Sequence, residues 1–132
     1  MQKRILLQGV VFTILAVILG AFGAHALKAV LTDQQLESYH TATRYLMYHG
    51  LALLILIAIQ QYIKQQLLNI GAHLIFWGTL LFSGSIILLV CRNLLGIDML
   101  KILGPVTPLG GSILIIGWIC ILIGILKKQA ND

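Results

Sequence analysis

Apolar positions fall along the chain in four long, nearly uncharged runs, Ile5 to Ala24, Leu46 to Ile59, Ile70 to Cys91 and Leu109 to Leu126, separated by short polar or mixed connections. Three of the runs reach the roughly 17–25 residues that a helix needs to cross a bilayer. The second is too short alone. It becomes long enough only if its helix extends back through Tyr48 and Arg44 or forward to Tyr62, so its polar shoulder must sit at the interface or face protein. The pattern predicts an all-α fold, a four-helix transmembrane bundle forming a single integral membrane domain over residues 1–132, with spans at about 5–24, 45–62, 70–91 and 108–126.

Local signals set the helix ends. Thr32 with Gln35 three residues later reads as a capping box. The second helix is thus predicted to start near Asp33 and run to about Tyr62, with an extended polar N-terminal part that projects outward or tilts along the surface. "QYIKQQLLN" makes a tight turn between antiparallel neighbours, and "RNLLGIDMLKILGPV" lies in the interface with a short helical turn at Asp98 to Leu103. Thr107 and Pro108 read as an N-cap and first helical residue of the fourth span.

Composition agrees: 59% of residues are hydrophobic and 10% charged, against roughly 45–50% and about 25% in soluble domains. "MQKR", an apolar run and "AHA" also resemble a signal peptide, but the run is about twice as long as an h-region, so the segment counts as a retained span. The formal charge of +5 is scattered over both ends and all connections without interleaved aromatics, which excludes nucleic acid and leaves the lipid bilayer as default partner. Four spans place Lys3, Arg4, Lys64, Lys127 and Lys128 on one side and Lys28, Arg44, Arg92 and Lys101 on the other. The excess, together with the paired cations at each end, predicts cytoplasmic termini. Cys91 and Cys120 lie at different depths and are expected to be free thiols.

Small residues recur where helices can approach closely. The first span has Ala16, Gly20 and Ala24 at four-residue steps, flanked by Gly23. Seven-residue steps relate Gly71, Gly78 and Ser85 in the third and Gly110, Gly117 and Gly124 in the fourth. These predict helix packing through Gly20, Gly23, Gly78, Ser85, Gly110, Gly117 and Gly124 in a left-handed bundle.

The candidate chemistry is concentrated in "ESYHTATRYLMYHG", residues 37–50. At 100° per residue, Glu37, His40, Thr41, Arg44 and Tyr48 share one face of the helix, with Tyr45 and His49 on the adjoining strip. Three readings compete: an interfacial aromatic belt with a snorkelling Arg44, a polar plug pairing the row with His25 and Lys28, or an ion path or catalytic site. His49 lies inside the apolar run and needs a hydrogen-bond partner from another helix. His49 and His73 differ in depth by roughly 12 Å, which argues against haem. No cofactor, metal spacing or nucleophile and base pair is expected, and the carboxylates are only Asp33, Glu37, Asp98 and Asp132.

The stretches "GAFGAHALK" (20–28), "YHTATRYLMYHGLALL" (39–54), "LLFSGSI" (80–86) and "TPLGG...GW" (107–118) resemble the YgdD/YwdK-like family of small bacterial membrane proteins, over nearly the whole chain and in order. The resemblance implies a four-span protein of the bacterial plasma membrane with no established biochemical function and no recognised catalytic residues. It points to Gly20, Gly23, His25, Arg44, His49, Ser83, Ser85, Thr107, Pro108 and Gly110. Gly50 and Ile87 depart from the family's usual His-Ala and aromatic. The expected role is a non-enzymatic structural or accessory membrane subunit, associating through glycine faces with a second copy or another membrane protein. The alternative is a small transporter or channel with a polar vestibule built by His25, His40, Arg44 and His49. The absence of a mid-membrane carboxylate favours the first.

Overall fold

The computed structural model describes residues 2–129, so Asp132 lies outside the described residues. Four helices follow one another, α1 Gln2–Ala24, α2 Asp33–Ala58, α3 Gln65–Leu95 and α4 Val106–Gln129, with no strand among the described residues. Short 3-10 segments at Leu27–Ala29, Gln60–Tyr62 and Asp98–Leu103 make the connections. All four helices are long and apolar enough to cross a bilayer.

The helix ends follow local chemistry. Thr32 Oγ1 accepts from the Gln35 N–H at 3.3 Å while Gln35 Oε1 accepts from the Thr32 N–H at 3.0 Å, closing the capping box that fixes the start of α2. The α-helix ends at Ala58 rather than Tyr62, because the chain tightens there into a 3-10 turn. Helix α3 ends on Gly96 at φ 67°, where the Ile97 N–H reaches the Arg92 carbonyl and the Gly96 N–H that of Asn93. This double closure requires a left-handed residue, and glycine adopts it without steric cost. The 3-10 turn expected at Asp98–Leu103 is present. Helix α4 opens two residues earlier than the Thr107 cap predicts: the Leu109 N–H donates to the Pro105 carbonyl, and the Thr107 hydroxyl instead shares a 2.7 Å hydrogen bond with Ser85 Oγ of α3.

Neighbours in sequence pack against one another, and among the described residues α1 and α4 do not form a packed pair. Helices α2 and α3 are therefore central, and the outer two need only one buried stripe each. Helix α1 buries Ile5, Gly9, Phe12, Ala16 and Gly23, and α4 buries Gly110, Leu114, Gly117, Ile121 and Gly124. Steps of four and three alternate, the 3.5-residue repeat of a left-handed coiled coil. The opposite faces expose Val10, Ile14 and Val17 on α1 and Ile115, Ile119 and Leu122 on α4. Such continuous apolar surface suits hydrocarbon and would drive association in water.

Reciprocal glycines close the α3–α4 seam. A Cβ added to Gly117 would lie 3.0 Å from the Ile75 nitrogen and 3.1 Å from the Gly71 oxygen; on Gly110 it would lie 2.5 Å from the Phe82 nitrogen and 3.0 Å from the Gly78 oxygen. These are backbone atoms, which cannot swing aside. The seam continues into the Ser85–Thr107 hydrogen bond. At its other end a Cβ on Gly124 would meet Ile63, and the Gly124 carbonyl accepts the Lys64 N–H at 3.0 Å, fastening the connection before α3 to α4.

The α1–α2 seam corrects the four-step reading of α1. Gly20 has no atom within 4 Å of a notional Cβ and Ala24 is exposed, so neither packs within the chain. The buried small residues are Gly9, Ala16 and Gly23, at sevens. Gly9 meets Gly50 across the seam, where a Cβ on Gly50 would approach the Thr13 nitrogen to 3.0 Å, and Gly23 accommodates the Tyr39 ring.

Candidate functional site

The polar shoulder of α2 resolves into separate environments instead of one row. On the outside, Arg44 Nη2 donates to Glu37 Oε1 at 2.9 Å, two turns apart and bypassing His40. Both side chains are more than half exposed (51% and 66%), so the pair contributes little stability. Among the described residues, the side chains of His40 and Tyr48 make no hydrogen bond, and none joins His25 or Lys28 to the row. The continuous hydrogen-bonded row and the plug with His25 and Lys28 are therefore not formed. His25 follows the end of α1 and Lys28 lies in the 3-10 turn, both exposed.

Toward α1, Tyr39 is 1% exposed and its hydroxyl donates to the Leu19 carbonyl at 2.8 Å, tying α2 to α1 across the cleft that Gly23 leaves open. His40 lies alongside, its ring edge-on to Tyr39 at 6.3 Å. The sequence pattern does not single out Tyr39. Its helical position is next to the polar face, and the carbonyl it reaches is fixed by tertiary packing alone.

Toward α4 lies His49. Nine residues at 100° place it on the side of α2 opposite His40. His49 Nδ1 sits 2.9 Å from the Tyr45 carbonyl, which can only accept, so Nδ1 carries the proton. Nε2 then accepts from the Trp118 indole N–H at 3.3 Å. The partner from another helix that His49 requires is thus Trp118, near the middle of α4, and both ring nitrogens are satisfied within the chain. Tyr45, Tyr48, His49, Phe82 and Trp118 line a groove of about 430 Å³ between α2 and α4, floored by Leu114 and open on the flank. Tyr45 packs against Phe82 of α3, the rings tilted by 34° with their centroids 4.6 Å apart.

Nothing else in the described residues assembles a reactive group. No three His, Cys, Asp or Glu side chains come together, and no Ser, Thr or Cys side chain is hydrogen-bonded to a histidine ring. His73 Nδ1 is held by the Asn69 carbonyl at 2.8 Å on its own helix. Cys91 and Cys120 are both free, as their depths require. Ser83 is fully buried and its hydroxyl has no hydrogen-bond partner.

Residues 19–111 match the family described as protein of unknown function (DUF423). The chain is 41% identical over 126 residues to UPF0382 membrane protein SAB0533 of Staphylococcus aureus (strain bovine RF122 / ET3-1), covering 96% of this chain and 98% of that protein. It is 38% identical over 131 residues to UPF0382 membrane protein YwdK of Bacillus subtilis (strain 168), again covering 96% and 98%. A third relative, UPF0382 membrane protein SERP0230 of Staphylococcus epidermidis, is 38% identical over 126 residues with the same coverage. No solved structure matches the chain. With a family match across most of its length, full-length relatives named as membrane proteins and four helices able to span a bilayer, the chain belongs to the DUF423 (UPF0382) family of membrane proteins of unknown function.

Proposed function

We propose that the protein is a non-enzymatic structural or accessory subunit of the bacterial plasma membrane, with both termini in the cytoplasm. The observation that carries this reading is the divergence of the α2 polar groups. Arg44 is bound to Glu37 outside, Tyr39 and His40 turn to α1, and both nitrogens of His49 are used by Tyr45 and Trp118. A transporter vestibule needs polar groups that converge on one passage and keep free donors and acceptors for the cargo. His25 and His49 instead line different cavities. The unpacked outer faces of α1 and α4, including the vacant surface at Gly20, provide places where a second copy or another membrane protein can seat.

Orientation follows the cation count, with Lys3, Arg4, Lys64, Lys127 and Lys128 at the end that carries the termini. The test is reconstitution into liposomes with pH and ion-flux readouts. Proteoliposomes are expected to be as tight as protein-free ones. A flux that disappears in Arg44→Ala or His49→Ala would overturn the accessory reading in favour of a transporter.

A further inference from the structure

The aromatic groove between α2 and α4 lies deep in the bilayer. Tyr39 packs on Gly23, where the first apolar run gives way to His25 and Lys28, so this level marks one edge of the hydrocarbon. Tyr48 is nine residues further along α2 and Trp118 nine residues before Lys127, each about 13 Å inside the edge of its own end. The groove is therefore surrounded by lipid tails and opens sideways to them. Its polar groups divide into two sets. The His49 nitrogens and the Trp118 N–H are engaged with the Tyr45 carbonyl and with each other. The Tyr45 and Tyr48 hydroxyls are not, since among the described residues neither has a hydrogen-bond partner. A phenol in hydrocarbon costs free energy until an acceptor reaches it.

We propose that this groove binds the head ring of an isoprenoid quinone, a planar ring that carries carbonyl acceptors and an apolar tail. The ring lies among the faces of Tyr45, Tyr48, Phe82 and Trp118, and its carbonyl accepts from a tyrosine hydroxyl. The tail leaves through the open flank along exposed Ile115. Other occupants of hydrocarbon match less well. An acyl chain fills the space but brings no acceptor, and a phospholipid headgroup stays at the membrane edge. The His49–Trp118 hydrogen bond ties α2 to α4 and sets the walls before any ligand arrives. Binding alone is proposed, without electron transfer, and it does not rest on the accessory-subunit reading.

The test uses the full-length protein in detergent with Trp77→Phe, so that fluorescence reports Trp118 alone, titrated with a naphthoquinone carrying a short isoprenoid tail. Saturable quenching is expected. Gly111→Leu should abolish it: a Cβ there meets only Phe82, at an ordinary contact distance of 3.7 Å, while the rest of the side chain fills the groove. Gly84→Leu, outside the groove and with nothing within 4 Å of its Cβ, should leave quenching unchanged. Tyr45→Phe/Tyr48→Phe keeps both rings and should weaken binding about fivefold or more. Absence of saturable quenching, its survival in Gly111→Leu, or equal affinity in the double tyrosine variant would overturn the site. Relief of quenching by an equal concentration of the isoprenoid alcohol lacking the ring would reassign the groove to an apolar chain and overturn the quinone. A dimer that Gly111→Leu dissociates would assign the groove to a second copy and overturn it equally.

Discussion

Gly110→Ala is expected to lower the stability of the bundle by about 3 kcal/mol, measured as thermal unfolding in detergent, while Gly20→Ala leaves it unchanged or slightly higher. The new methyl carbon of the first would sit 2.5 Å from the Phe82 nitrogen and 2.9 Å from its Cα, whereas that of the second would meet nothing within 4 Å. Relief at Gly110 requires α3 and α4 to move apart along a seam that also contains Gly71, Gly78 and Gly117. Lipid tails are as apolar as the side chains they replace, so close packing is the main attraction between these helices. The same measurement should separate Gly117→Leu, aimed at the Ile75 backbone, from Gly104→Leu, whose Cβ would meet only the Lys101 oxygen at 3.4 Å. Equal unfolding temperatures for Gly110→Ala and Gly20→Ala would show that the seam does not hold the helices together.

Tyr39→Ala is the second large effect. The side chain is 1% exposed, lies against Gly23 and donates to the Leu19 carbonyl at 2.8 Å. Removing it leaves a cavity between α1 and α2 and is expected to cost about 3–5 kcal/mol, the range for truncating a buried aromatic. Tyr39→Phe keeps the ring and loses only the hydrogen bond, at about 1 kcal/mol. The ratio of the two losses, read by thermal unfolding, separates packing from hydrogen bonding. If Tyr39→Phe were as damaging as Tyr39→Ala, the hydroxyl rather than the ring would anchor α1.

The parts of this architecture that rest on local chemistry could be read from the chain. The Thr32–Gln35 box, the turn at Asp98–Leu103 and the seven-residue glycine stripes of α3 and α4 depend on residues within one helix or turn. The stripe of α1 was legible in principle. Ala16 belongs both to the four-step series with Gly20 and Ala24 and to the seven-step series with Gly9 and Gly23, and only burial shows that the latter faces α2.

The candidate site was less accessible because its contacts are tertiary. The requirement of His49 for an interhelical partner follows from its apolar surroundings, but Trp118 lies 69 residues away on a helix that is not its neighbour in the chain. Thr107 carries the sequence signature of a cap, and a hydroxyl on α3 took it over. Gly50 stands within the apolar run of α2 and shows its purpose only when Gly9 is placed opposite it.

Helices α3 and α4 touch through small residues along their full length, and disulfide trapping at the far end of that seam examines this contact most directly. Ser85 Oγ and Thr107 Oγ1 are 2.7 Å apart, so cysteines at these positions can reach the roughly 2.05 Å sulfur separation of a disulfide with little movement. In a chain with Cys91 and Cys120 replaced by serine, Ser85→Cys/Thr107→Cys should close within one chain when native membranes are mildly oxidised, protecting both thiols from alkylation without producing a dimer. Two thiols that remain fully alkylated after oxidation would contradict the seam.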